Sequence, residues 1–338
     1  MKHPIETLTT ALVAIALAGC AAQDVDELPD DALRIINGLP APSSVDHYAA
    51  TVGIHSVWKG NPSSEPFCSG TLISPDVVLT AAHCCDEGYG WGGSPNPMEP
   101  DEAMIYFGDG GGDPGELHAI SEVLIHPDYS RSTLENDLCV VRMAAPNLGS
   151  PTVPHLPASL ALTNADIGLP LDYAGFGYSD LGKTEYGAKL HIELPLGGMG
   201  CSVDGCPSGA PTDTQFSYVM AGDPVLGPCN GDSGGPTFVE RGGTIYVAGL
   251  TSYGDAGCEV YGANTHVAAY EAFIDAFIGV GGGGDGGGGD GGGDSCGDGV
   301  CDLGESCDGR SGTTACTADC PGKTGGKPSG RYCWVEGV

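Results

Sequence analysis

The sequence predicts an all-β fold closed by one C-terminal helix, and three observations predict it. Between residues 35 and 279, short apolar runs rich in β-branched residues, such as EVLIHPDY, DLCVVRM and TIYVAGLTSYG, alternate with clusters of Gly, Pro, Asn and Asp. That is the pattern of short strands joined by turns. Strands at such close spacing build barrels or sandwiches. One segment breaks the pattern: Val267, Tyr270, Phe273, Ile274, Phe277 and Ile278 recur at helical spacing, which gives a terminal amphipathic helix.

Taken from the N-terminus, the elements fall in order. Residues 1–19 have a short basic start and an apolar stretch from Ala11 to Ala18, too short for a permanent bilayer span, and read as an export signal. It ends Leu17-Ala18-Gly19-Cys20, which resembles the lipobox of bacterial lipoproteins. That resemblance implies a lipid on Cys20; the alternative is an ordinary cleaved signal with a stray cysteine. Residues 20–34 are polar and acidic without periodicity, a tether. The strand-rich body spans 35–280. Residues 281–295, GGGGDGGGGDGGGDS, bury no apolar surface and read as a flexible linker with a mean span of roughly 20 Å. Residues 296–338 carry Cys296, Cys301, Cys307, Cys316, Cys320 and Cys333 with almost no aliphatic residues. Such a module must be held by disulfides or a metal. Its acids Asp298, Asp302, Glu305, Asp308 and Asp319 offer oxygen ligands of the kind calcium takes, although acidic loops are expected anyway in so acidic a chain.

The chain has 338 residues, with 44 acids against 12 bases and a formal charge of −32. Phosphates repel such a surface, so nucleic acid is excluded as a partner, and so is electrostatic docking on anionic lipid. Any membrane contact would run only through a lipid on Cys20. Fifteen cysteines in a chain with an export signal point to disulfides, and the odd count leaves one cysteine for another task.

CNGDSGGPTF, residues 229–238, carries the chemistry. A serine in a glycine-rich turn can expose its Oγ and aim backbone N–H groups at one point, as a developing oxyanion requires. Serine alone is a poor nucleophile and needs a base and a carboxylate to orient that base. His83 in TAAHC and Asp137 in LENDLCVV lie upstream of Ser233. LTAAHC, NDLCVV and GDSGGP resemble the trypsin-like, chymotrypsin-fold serine proteases, as do FCSGTLIS at 67–74, AGFGYSD at 174–180 and TSYG at 251–254. The resemblance covers residues 35 to about 279, and implies two antiparallel six-stranded β-barrels with the site between them.

The resemblance also implies roles. Ser233 would be the nucleophile, His83 the general base and then acid, and Asp137 the group that orients it. The N–H groups of Gly231 and Ser233 would form the oxyanion hole, and Ser252, Tyr253 and Gly254 would pair with the substrate backbone. RIINGLPA at 34–41 resembles the family's activation site. Cleavage between Arg34 and Ile35 by another protease would free an amine to pair with Asp232. The pocket for the residue before the scissile bond would have Gly227 at its base and Gly254 and Gly262 as walls, an open, uncharged slot for a large apolar side chain. Glu259 either intrudes on it or faces solvent.

Among the cysteines, Cys68–Cys84 and Cys229–Cys258 match family disulfides, and Met220 stands where a further family bridge is often found. Cys201 and Cys206 are close enough in sequence to seal a local loop. Cys85 and Cys139 lie two residues beyond His83 and Asp137. If that pair is in contact, the two cysteines can reach the Cα separation of about 5.5–6 Å that a disulfide prefers; otherwise they are two buried thiols. The expectation is therefore a monomeric serine endopeptidase acting on proteins or peptides, without cofactor or metal. It would be exported from a bacterial cell and either secreted or lipid-anchored until cleaved. The competing expectation is an inactive homologue that binds a surface through its cysteine-rich tail.

Overall fold

The computed structural model describes residues 35–88 and 94–279, together with two short strands, Glu305–Ser306 and Thr314–Ala315, which pair in parallel. The signal, the tether, Arg34, Cys20, the linker and the remainder of the cysteine-rich module lie outside the described residues.

Six strands make the first barrel: β1 (Thr51–Trp58), β2 (Cys68–Ser74), β3 (Val77–Thr80), β4 (Ala103–Phe107), β5 (Glu116–Ile125) and β6 (Cys139–Met143). The antiparallel ladders run β1-β2-β3-β6-β5-β4, and pairing of β4 back onto β1 closes the ring. The second half has β7 (Pro170–Gly175), β8 (Leu190–Pro195), β9 (Gln215–Val219), β10 (Pro236–Arg241), β11 (Thr244–Gly254) and β12 (Tyr261–His266). Its order, β8-β7-β10-β11-β12-β9, repeats that of the first with one ladder missing, between β8 and β9. There the chain leaves β8 and the Gly197 N–H donates to Ser217 O. Gly198–Met199 then pairs with β9. The second half is thus a curled sheet joined at one corner rather than a fully laddered barrel.

Each half encloses its own apolar core. Val52, Ile54, Leu72, Val78, Leu79, Ile105, Val140 and Val141 fill the first. Leu171, Tyr173, Phe216, Tyr218, Leu194 and Ala248 fill the second. The β3 and β6 strands are buried almost throughout, which is why their sequences read as continuous apolar runs rather than alternations.

The helical stretch splits in two. Val267–Tyr270 forms a 3-10 turn and the α-helix proper, α1, spans Glu271–Ile278. The 3-10 turn superposes side chains three apart, so Val267 and Tyr270 are both buried against the body. Helix α1 buries Ile274 and Phe277 and stops at Gly279, whose φ of 85° suits a glycine cap. The Arg142 guanidinium lies 4.6 Å from the Phe277 ring and donates to the Phe277 carbonyl, tying α1 to β6. Among the described residues, no helix is long and apolar enough to cross a membrane.

Candidate active site

His83 sits in a 3-10 turn, Ala82–Cys84, immediately after β3, and Asp137 lies just before β6. Because β3 and β6 are hydrogen-bonded neighbours with Thr80 opposite Cys139, the two side chains emerge at the same end of the barrel. Asn136, with φ of 54°, turns the chain inward at this point; Asn tolerates that left-handed region better than most residues. It is held by Tyr270, whose hydroxyl donates to Asn136 Oδ1 at 3.0 Å.

Asp137 is fully buried and its carboxylate accepts three hydrogen bonds. The His83 backbone N–H donates to Oδ1 at 2.9 Å, and His83 Nδ1 lies 2.8 Å from Oδ2. The Ser252 hydroxyl donates to Oδ2 at 2.6 Å. Ser252 reaches it because of a β-bulge. In the β11–β12 ladder Thr251 faces Asn264 and Tyr253 faces Ala263, leaving Ser252 as the extra residue. Bulges of this kind re-aim a side chain. Fixed from three sides, the carboxylate holds Nδ1–H and leaves Nε2 of His83 as the basic atom.

Ser233 comes from the second half and lines one cleft with His83. The turn that carries it is shaped by glycines. Gly231 has φ of 97°, and a Cβ there would lie 2.5 Å from the Tyr186 ring. The Gly231 and Ser233 N–H groups have no acceptor among the described residues. Their direction follows from peptide planarity, which sets N–H opposite C=O. Asn230 O accepts from Tyr178 N at 3.0 Å and Asp232 O from Gly235 N at 2.8 Å. Both N–H groups therefore point away from those internal bonds, and both residues line the cleft. Ser69 of β2 anchors the turn across the two halves: its hydroxyl donates to Gly231 O at 2.9 Å, and its N–H to Ser233 O at 2.8 Å.

Asp232 is fully buried beneath this turn. Gly177 N donates to its Oδ1 at 2.8 Å and Cys229 N to its Oδ2 at 2.9 Å. Among the described residues it has no cationic partner. Burial pushes its carboxyl up to about 7, outweighing the two backbone donors. Ile35 is also completely buried, and Ile36 bridges to Gly227.

The cleft extends past Ser233 to Tyr218, Met220, Ser252, Tyr253, Gly254, Asp255, Tyr261 and Gly262, and Phe67 also lines it. Gly227 is not part of its lining. It lies behind Met220, whose Cε would be 2.9 Å from a Cβ there. Glu259 is also absent from the lining, while Asp255 is present. Burial works to raise the Asp255 carboxyl, but N–H donors from Val260, Tyr261, Glu259 and Gly257 hold it below the usual range. It stays ionised, with its oxygens already engaged.

Among the described residues four disulfides form: Cys68–Cys84, Cys85–Cys139, Cys201–Cys206 and Cys229–Cys258. Cys85–Cys139 is completely buried and joins the His83 turn to β6. Among the described residues, two groups of donor atoms fall within 4.8 Å of one another, Cys68/His83/Cys84 and His155/Glu271/Asp275. The cysteines of the first are oxidised and offer no thiolate. In the second, His155 Nε2 pairs with Asp275 at 3.2 Å.

Chemically, the cleft holds a serine hydroxyl, an imidazole with a buried carboxylate behind it, and two unoccupied N–H donors, the components of acyl transfer. The family model for trypsin matches residues 35–274, and the chain belongs to the trypsin family. It is 31% identical to vitamin K-dependent protein C of Rattus norvegicus over 63% of this chain and 46% of that protein. It is 30% identical to brachyurin of Leptuca pugilator over 67% and 89%, and 28% identical to trypsin, alkaline C, of Manduca sexta over 79% and 98%. The chain spans about half the length of the protein C relatives it matches.

Proposed function

We propose that this chain is a serine endopeptidase, made as a precursor and switched on by cleavage between Arg34 and Ile35. The observation that carries the reading is that His83, backed by the buried Asp137, shares one cleft with Ser233 and two free N–H donors. Ser233 Oγ attacks the scissile carbonyl while His83 Nε2 takes its proton. The oxyanion forms against the Gly231 and Ser233 N–H groups. His83 then protonates the leaving amine, and water attacks the acyl-enzyme in the same manner. Asp137 holds the histidine tautomer throughout.

Cleavage after Arg34 frees the Ile35 amine, which pairs with Asp232. The motive is a buried carboxyl whose only described partners are two N–H groups, under the turn that makes the oxyanion hole. The substrate backbone pairs as an added strand with Ser252, Tyr253 and Gly254 at the end of β11. The side chain before the scissile bond is apolar, because Gly227 puts no carboxylate where a basic side chain would need one, and the oxygens of Asp255, which lines the cleft, are engaged by backbone N–H groups. Four disulfides support an oxidising, extracytoplasmic location. The enzyme works as a monomer on proteins or peptides. Its precursor is held at a bacterial envelope by a lipid on Cys20 and is released when Arg34–Ile35 is cut. Labelling with a fluorophosphonate tests the reading: one adduct on Ser233 is expected, and an unlabelled cleaved protein would overturn it.

A further inference from the structure

Three glycines, 227, 254 and 262, make the pocket read as an open slot, yet Met220 packs beside Gly227 and Tyr218 beside Gly262. Gly227 lies behind Met220, outside the lining. Gly262 is directly opposite Tyr218 in the β9–β12 ladder, so the two residues face the same side of the sheet. A Cβ on Gly262 would lie 2.2 Å from Tyr218 Cζ and its hydroxyl oxygen. The phenol therefore occupies the space that the glycine leaves.

Tyr218 also lines the cleft while being only 1% exposed. Its ring is backed by the fully buried Tyr173, centroid to centroid 4.6 Å. Its hydroxyl has no hydrogen-bond partner among the described residues, yet it is not one of the unpartnered polar atoms sealed from solvent. The small surface left to the phenol is thus where it meets the cleft. Burial, then Asp232 and Asp255, push the phenol's ionisation far up, so the ring end stays neutral at working pH.

We infer that Tyr218 is the specificity-determining residue of the pocket: its phenol forms the floor in the space beside Gly262 and shortens the slot. The inference rests on the peptidase reading and names its substrate class. A short apolar slot with a neutral polar floor takes Leu or Met before the scissile bond and excludes Tyr and Trp. A missing or surplus methylene in such a pocket shifts kcat/KM by about 10-fold or more, and an indole exceeds Leu by several atoms.

The test uses the Arg34-cleaved enzyme and a peptide series differing only in the residue before the cleaved bond: Leu, Met, Phe, Tyr and Trp. For the native enzyme, kcat/KM for Leu should exceed that for Trp at least about tenfold. Tyr218→Leu should lower this ratio about tenfold or more, because the floor recedes, and Tyr218→Phe should keep it, because the ring remains. Fluorophosphonate labelling of each variant shows that the site is assembled. A native enzyme that prefers Trp or Tyr overturns the inference whether or not the variants fold. So does a labelled Tyr218→Leu enzyme with an unchanged ratio. A native enzyme that neither labels nor cleaves any of the peptides defeats the peptidase reading instead.

Discussion

The Ser252 hydroxyl donates to Asp137 Oδ2 at 2.6 Å, across the boundary between the two halves. The same oxygen lies 2.8 Å from His83 Nδ1. A residue expected to meet substrate through its backbone thus has a second task for its side chain. Hydrogen bonds to charged groups contribute about 1.5–3 kcal/mol. Ser252→Ala should therefore lower stability by about that amount and kcat/KM by roughly 10-fold. Denaturant unfolding beside kinetics on the cleaved enzyme checks it; an unchanged stability would show that the carboxylate is fully satisfied without Ser252.

Cys85–Cys139 closes a loop of 54 residues behind His83 and Asp137. In the chain-entropy model such a loop is worth on the order of 4 kcal/mol. The Cys85→Ala/Cys139→Ala variant should unfold at correspondingly lower denaturant. It should also lose kcat, because the base and its orienting acid are then joined only by hydrogen bonds. A variant with native midpoint and native kcat would remove the clamp from the account.

Much of this was legible in the sequence, and what was not has identifiable causes. Motifs around His83, Asp137 and Ser233 carry local turn chemistry, so their neighbourhoods could be read directly. The apolar run DLCVVRM marked β6, the strand that Asp137 precedes. Asn136, Ser69 and Tyr218 were missed because their effects depend on partners far away in sequence: Tyr270 for Asn136, Gly231 for Ser69 and Gly262 for Tyr218. Glycine spacing made the pocket look open, since a sequence shows which side chain is absent and not which neighbour moves into its space. The missing β8–β9 ladder was likewise invisible, because strand runs do not disclose which edges pair.

Asp232 gives a pH signature to the uncut chain. Its folded pKa, about 7, lies above the ordinary carboxyl value of about 4. Between those values the folded chain holds a proton that the unfolded chain has released, so stability falls as pH rises through the window. The full effect is at most roughly 4 kcal/mol. Once the Ile35 amine pairs with the carboxylate, the charged form is favoured and the fall disappears. Melting curves from pH 4 to 7 on uncut and cut Ser233→Ala protein should diverge in this sense; parallel curves would contradict the pairing.

Lipid on Cys20 and cleavage after Arg34 together predict a change of compartment. Only 14 residues, Ala21 to Arg34, separate anchor and cut, and none of them is cysteine, so no disulfide would retain the cut enzyme. Two acyl chains anchor stably where one does not. Uncut protein should sediment with membranes and the Ile35-starting form should be soluble. An active form that stays in the membrane fraction would show a second anchor.

If Ser233 performs acyl transfer driven by His83 and Asp137, its loss should abolish turnover and leave the fold intact. The most direct measurement is kcat of the Arg34-cleaved enzyme against its Ser233→Ala variant on one apolar peptide substrate. The expected result is a loss of at least about a thousandfold with an unchanged melting temperature, since loss of a triad member removes most of the catalysis. A Ser233→Ala enzyme that retains more than about a thousandth of the native kcat would contradict it.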